Sequence, residues 1–449
     1  MSSPNVLYLH SHDTGRYIRP FGHAVDTPNL QSLAEQGVLF RNNHCVCPTC
    51  SPSRSALLTG TYPHENGMLG LAHRGFRLYD YGWHVIAQLK EAGYHTVLSG
   101  TQHIASQRLA DELGLAQPSD VIGYDECLGW EPQAHTQAVE WLRSKPKAPF
   151  FLSVGFHETH REFPELEDGD PEDPRYTMPP APLPDTPETR LDTARFAKMA
   201  RELDDRMGAV LAALDEAGLA EDTIVVCTTD HGIAFPRMKC NLQDSGTGTF
   251  LIVRGPGGFE GGAVVDAMTT HMDVYPTLCE LVGIDPPERL RGASLLPLVR
   301  GEAESIHDEI FTEVSFHASY EPMRAVRTDR YKYIRRFDPR LRPVLPNCDA
   351  GQSKEVWMDA GWGDRRPDEE MLFDLVFDPN ETNNIAGDPE HAYVLSELRT
   401  LLSAHMEQTD DPLLAGYLLP PEGAEVTWMD ARDPSSAERL KREPLSEDS

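Results

Sequence analysis

Nowhere does this chain carry an unbroken apolar run near the roughly 18 residues that a membrane-spanning helix needs, which excludes a span of that kind. Basic residues are scarce: 40 Lys and Arg stand against 71 Asp and Glu, a formal net charge of −31. A field of that sign repels nucleic acid, anionic lipid and highly sulfated polymers at long range, although a basic group or a bound cation can reverse it inside a cleft. A small guest is expected, with no nucleic-acid and no membrane partner. Cysteine is sparse too, with 8 in 449 residues. The first residues, "MSSPNVLYLHSHD", run into a strand-like segment without a basic leader or a small-residue cleavage site. We therefore expect a cytoplasmic protein with reduced thiols rather than a disulfide framework.

What the chain does have is more length than one hydrophobic core uses, so two domains are expected, the first larger. The run "NVLYLHSH" (5–12) reads as a strand, and "TPNLQSLAEQGVLF" (27–40) as a helix leading into a second strand. The alternation continues through "GWHVIAQLKEAGYHTVLSG" and "APFFLSVGFH", then a long amphipathic helix and a strand before Asp230-His231-Gly232. Three strands thus end in "SHD", "GFHETH" and "TTDHG". In a doubly wound sheet the carboxyl ends of the strands form the functional crevice, so these clusters converge despite their separation in the chain. The Pro- and acid-rich stretch "EFPELEDGDPEDPRYTMPPAPLPDTPETR" reads as a surface excursion or lid edge. After "LRGASLLPLVRGEAE" the pattern turns to antiparallel strands and the helix "AYVLSELRTLLSAHMEQ". This places a boundary near 305, between an α/β domain over 1–305 and an antiparallel-sheet subdomain over 306–449. A tail from about 413 is expected to wrap a neighbour in a homo-oligomer or to be loosely held.

One stretch concentrates the chemistry. "HCVCPTC" (44–50) packs His44, Cys45, Cys47 and Cys50 together, but structural zinc sites draw cysteine pairs from two places in the chain, and no second pair appears. Cys45 and Cys47 read as small buried residues. Cys50 differs because Ser51 suits an N-cap, Pro52 the first helical position and Gly60 a terminator, so that it lies just before a helix N-terminus that favours an anion. Arg54 adds a fixed positive fork one turn in.

Cys50-Ser51-Pro52-Ser53-Arg54 resembles the C-x-P-x-R signature of the sulfatase family. The likeness continues through "SPSRSALLTGTYPHENGMLG", "GYHTVLSGTQH", "GFHETH", "TTDHG", "THMDVYPTLCELVGI", "RGASLLPLVRG", "RYKYIR" and "LFDLVFDPNETNNIA", nearly the whole chain. Around the signature and "FHETHREF" it is most similar to the heparan N-sulfoglucosamine sulfohydrolase branch and its bacterial relatives. The resemblance implies an alkaline-phosphatase-like fold, with a large, mostly parallel sheet flanked by helices and a smaller antiparallel sheet. It also implies oxidation of Cys50 to formylglycine by a formylglycine-generating enzyme. In the hydrate of that aldehyde one hydroxyl attacks sulfur and the second later expels sulfate, an exit by C–O cleavage that a cysteine thiol lacks. A small sulfated substrate follows, with the sulfate polarised by one divalent metal ion.

Carried over residue by residue, the family's pattern makes Asp13, Asp230 and His231 metal ligands together with residue 50, with His12 at the place of the other N-terminal ligand. Arg54 supports the hydrate, Lys239 clamps a sulfate oxygen, His157 protonates the leaving group and His103 deprotonates the second hydroxyl. Thr101, His160 and His73 are the expected substrate contacts. Two departures stand out: most sulfatases carry consecutive aspartates where this chain has His12-Asp13, and a lysine where it has Thr101. They remove opposite charges from one pocket, which suggests a coupled retuning. Among manganese, calcium, magnesium and zinc, the imidazoles favour a transition ion. Thr101 and the Asp-His pair also resemble the phosphonate monoester hydrolases, which makes cleavage of phosphonate monoesters or phosphodiesters the alternative activity. A catalytically inactive binding protein of the same fold is the remaining one.

Overall fold

A computed structural model describes residues 3–130, 132–338 and 340–439 of the chain. Its larger sheet has eight strands: β1 (Asn5–Ser11), β2 (Val38–His44), β3 (His95–Gly100), β4 (Glu126–Gly129), β5 (Phe150–Gly155), β6 (Thr223–Thr229), β7 (Leu251–Arg254) and β8 (Ala263–Thr270). They lie in the order β4-β3-β5-β1-β6-β7-β2-β8. Every pairing is parallel except those made by β7, which runs antiparallel to β6 and β2. The continuous apolar sequence of β1, β5 and β6 follows from burial on both faces. Along β1, Val6 and Tyr8 enter one core and Leu7 and Leu9 the other, so helices cover the sheet above and below.

A second, antiparallel sheet contains β9 (Ile310–Phe316), β10 (Tyr320–Arg327), β11 (Tyr331–Arg336) and β12 (Glu370–Asp374) in the order β12-β11-β10-β9. The helix Ala392–Gln408 packs Leu395, Leu398, Leu402 and Met406 against it. The chain passes between the sheets after Val299 and before Ile310, and we propose the domain boundary there, near 305. From Leu413 to Arg439 the tail lies on its own chain: Glu425 N–H donates to Arg74 O at 2.7 Å and Thr427 N–H to Ala318 O at 2.8 Å. Residues 440–449, the end of the expected tail, lie outside the described residues. Among the described residues no helix is long and apolar enough to cross a membrane, and all eight cysteines are free thiols.

Buried charge couples the two sheets. Arg327 donates to both oxygens of Asp244 at 3.1 Å, and Lys332 to Leu242 O at 3.0 Å. Nearer the signature helix, His64 N–H donates to Glu313 Oε1 at 3.0 Å and its Nδ1 meets Glu313 Oε2. Arg324 holds Asp411, with Nη2 to Oδ1 at 3.1 Å. Two carboxylates and one guanidinium leave a negative charge that protonated His64 balances. Burial opposes that protonation, but Glu313 outweighs it and raises the pKa of His64.

Removing one partner of a buried ion pair strands the other, so Glu313→Gln should lower stability by about 3 kcal/mol, read as a fall in the urea midpoint. A raised folded-state pKa means that the His64 contribution is fully present below about pH 6.5 and is lost as pH rises through the folded value. The stability difference between wild type and Glu313→Gln should therefore shrink at alkaline pH. A difference constant from pH 6 to 9 would contradict this arrangement of charge.

Candidate active site

The helix Cys50–Thr59 is buried along its whole length and ends at Gly60, whose left-handed φ of 70° lets its N–H close on Ala56 O at 2.8 Å. It starts two residues earlier than the sequence predicts. Thr49 is its N-cap position, Cys50 its first residue, and Pro52 lies in the first turn. Ser51 is not the cap: its Oγ accepts from Ala72 N–H at 3.0 Å and fixes the next loop. Cys50 thus sits at the positive end of the helix dipole. His44, without a chemical role in the sequence reading, pairs at the base of the site with Arg16, Nη2 to Nε2 at 3.0 Å.

The three strand ends converge as expected. Asp13 N–H donates to Asp230 Oδ1 at 2.8 Å, and His231 N–H to the same oxygen at 3.0 Å. Arg54, one turn into the helix, donates Nη2 to Asp230 Oδ2 at 3.0 Å and to Ser11 O at 2.7 Å, while its Nη1 meets His10 Nδ1. Burial resists ionisation of Asp230, yet His231, Arg54 and His12 hold its carboxyl well below the usual range. His231 Nε2 lies 3.3 Å from Asp13 Oδ1 and 3.4 Å from Cys50 Sγ. Lys239 donates to Asp13 Oδ2 at 2.8 Å.

Around this charged floor stand the imidazoles. The ring of His12 lies 5.1 Å from that of His103, 5.6 Å from His160 and 6.0 Å from His157, centroid to centroid. His73 stacks on His103 at 5.5 Å, with a 3.3 Å contact between ring nitrogens. Burial, Arg54 and His103 push the pKa of His12 well down against the pull of Asp230. Burial and His160 lower that of His157. Thr101 follows the end of β3, its N–H donating to Gly155 O at 3.0 Å, two residues before His103.

The sequence reading missed three neighbours of the site. His10 stands two residues before His12, at the end of β1, a spacing that was available as a signal. Asp349 and His317 come from the second domain, where no motif marks them. Asp349 Oδ2 lies 3.0 Å from Lys239 Nζ, so that Lys239 is held between two carboxylates. Burial opposes the charge on Lys239, but Asp13 and Asp349 hold its ammonium well above the ordinary lysine value.

The residues fit a cation. Donor atoms of His12, Asp13, Cys50 and Asp230 all lie within 4.8 Å of one another and all four side chains are buried. Among the described residues His12 Nδ1 and Asp13 Oδ1 are buried and form no hydrogen bond, with Asp230 Oδ2 at 3.1 Å from the first and His231 Nε2 at 3.3 Å from the second, and a buried carboxylate oxygen in that state calls for a positive charge. Mixed imidazole and carboxylate donors suit a divalent metal ion. Cys50 itself is poorly disposed as a thiolate, because burial pushes its thiol well above the ordinary value against the opposing pull of Lys239.

The profile of the family described as Sulfatase matches residues 4–284, and that described as N-sulphoglucosamine sulphohydrolase, C-terminal, matches residues 237–341. Human N-sulphoglucosamine sulphohydrolase is 30% identical, over 91% of each chain. The Delta 4,5-hexuronate-2-O-sulfatase of Bacteroides thetaiotaomicron is 27% identical, over 91% of this chain and 90% of that one. Among solved structures, the phosphonate monoester hydrolase of Silicibacter pomeroyi shares the fold with a TM-score of 0.67, at 22% identity over 94% of this chain and 99% of that one. With the family profile spanning more than half of its length, the chain belongs to the sulfatases, enzymes that hydrolyse sulfuric esters.

Proposed function

We propose that this chain hydrolyses the sulfate ester or N-sulfate of a small sugar or aryl substrate, using a formylglycine made from Cys50 by a formylglycine-generating enzyme and one divalent metal ion. The observation that carries the reading is the convergence of Cys50, His12, Asp13 and Asp230 on one point beside the cations Arg54 and Lys239. A sugar is favoured because the relatives at 30% and 27% identity are named for sulfated glucosamine and hexuronate. The strongly acidic surface favours a mono- or oligosaccharide over an intact polyanion. Free thiols throughout the chain support a cytoplasmic location.

His12, Asp13, Asp230 and His231 would hold the metal, with manganese or zinc preferred over calcium or magnesium by the imidazoles. Bound there, the metal supplies Lewis-acid polarisation of the sulfate. The formylglycine hydrate supplies one hydroxyl to attack sulfur and another on the same carbon to release sulfate.

The chain's own groups do the rest. Arg54, locked by Asp230 and Ser11, fixes the position of residue 50. Lys239 holds a sulfate oxygen, and Asp349 with Asp13 keeps it charged and aimed. His157 protonates the leaving oxygen or nitrogen, and His103 removes the proton of the second hydroxyl, with its neighbour His73 setting its orientation. His160, Thr101 and His73 contact the substrate. The second reading, a phosphonate monoester or phosphodiester hydrolase, draws on Thr101 and the Asp230-His231 pair. Both substrate kinds present a singly charged tetrahedral group, so the two are separated by rate.

On matured enzyme supplied with each metal in turn, kcat/KM for an aryl sulfate and for sulfated glucosamine should exceed that for a phenyl phosphonate ester, with the largest rates in manganese or zinc. A dominant phosphonate rate would transfer the assignment to the second reading. Lys239→Ala should lower kcat by about 100-fold, as loss of one preorganised charge on the transition state does. An effect confined to KM would mean that Lys239 binds ground and transition states alike. His12→Asp and Thr101→Lys, singly and together, should show a coupling of about 1 kcal/mol in kcat/KM. Simple additivity would show that the two departures are independent.

A further inference from the structure

A pocket of about 260 Å³ opens between the second sheet and the helix Gln352–Asp359, and none of the residues assigned to catalysis lines it. Its charged lining is four guanidinium groups, Arg237, Arg336, Arg365 and Arg366, against the carboxylates of Glu321 and Asp368. That is a local excess of positive charge in a chain of net charge −31. The carboxylates are already engaged: Glu321 accepts from Arg336 Nη1 at 2.9 Å and Asn347 Nδ2 at 3.0 Å, and Asp368 from Asn384 Nδ2 at 3.1 Å. Among the described residues Arg237, Arg365 and Arg366 form no ion pair, and Arg365 and Arg366 are exposed at the mouth.

Deeper in, two donors point to what is missing. Arg336 is 7% exposed; its Nη2 lies 3.6 Å from Asp338 Oδ2, too far for a hydrogen bond, and among the described residues neither it nor the buried Trp357 Nε1 has a hydrogen-bond acceptor. Groups that only donate need a ligand that accepts. The indoles of Trp357 and Trp362, 5.8 Å apart and edge to face, add flat apolar walls of the kind that cover a pyranose ring while leaving its hydroxyls free. The volume, close to the roughly 300 Å³ lower limit of ordinary ligand pockets, suits one ring.

From these features we infer that the pocket is a second binding site, taking a single sugar unit that bears a sulfate or carboxylate. The arginine forks bind the anion and the tryptophans the ring. The loops that bring Lys239 and Asp349 to the catalytic centre present Arg237 and Cys348 to this pocket, so the two sites share a wall. The proposal goes beyond the sulfatase reading. Binding here can fail while catalysis stands, and catalysis can fail while binding stands.

The test uses the full-length chain carrying Cys50→Ala, which prevents turnover, and follows tryptophan fluorescence. Glucosamine 6-sulfate should give a saturable change. Arg365→Ala/Arg366→Ala, at exposed positions, should weaken it about tenfold or more, as loss of charge-assisted hydrogen bonds does, and Trp362→Phe should reduce its amplitude. Unsulfated glucosamine and inorganic sulfate should each bind at least about tenfold more weakly. Equal affinity in the Cys50→Ala chain with and without the two arginine substitutions would overturn the proposal, as would equal binding of glucosamine or of sulfate alone.

Discussion

The Asp230 carboxylate is the constraint from which the site is built. It takes backbone N–H groups from the ends of two different strands, Asp13 on one and His231 on the other, and the guanidinium of Arg54 from the helix that begins with Cys50. Arg54 in turn bonds the backbone at Ser11 and meets His10, so one buried ion pair fixes the helix against β1 and β6. An isolated charge at that depth would be driven to neutrality. With its partners in place Asp230 stays ionised, and its position locates Asp13, His12 and residue 50 around it. From Asp13 the chain of charge runs through Lys239 to Asp349, which draws the second domain into the site. The segment that joins β11 to β12 therefore reaches the candidate site.

Much of this arrangement is legible in the sequence because it follows from short-range rules. Apolar runs that end in Asp and His identify parallel strands whose carboxyl ends meet, and β5, β1 and β6 do lie side by side. The Pro and Gly of this stretch mark a helix, displaced by two residues because Ser51 is recruited to another loop and Thr49 takes the cap position. What stays hidden depends on tertiary pairing. Asp349 lies in an irregular loop between β11 and β12, where no periodicity distinguishes one aspartate from the others of an acidic chain. His44 resembles a metal ligand by spacing but is held by Arg16 and Thr247, contacts created only when β2 reaches the loop before β7.

An excess of acidic residues opposes anionic substrates at long range, yet the protein places its cations locally. Arg54 and Lys239 are buried beside carboxylates at the catalytic floor, while unpaired arginines gather at the pocket beyond the shared wall. Elsewhere, as at Asp244 and Glu313, buried basic side chains serve to join the sheets. On the proposed function, long-range repulsion would exclude polyanions while short-range forks select a single charged group, because screening weakens distant charges far more than buried contacts.

The proposed mechanism turns on the side chain at position 50, which sits buried among Asp13, His231 and Lys239 as a thiol of raised pKa and would gain its chemistry by oxidation. The direct measurement is the mass of the peptide containing residue 50, from protein made together with a formylglycine-generating enzyme and showing sulfatase activity. The account predicts a mass lowered by exchange of one sulfur for one oxygen and loss of two hydrogens, in a fraction of molecules that rises with specific activity. Full sulfatase activity from protein whose residue 50 is entirely unmodified cysteine would contradict it.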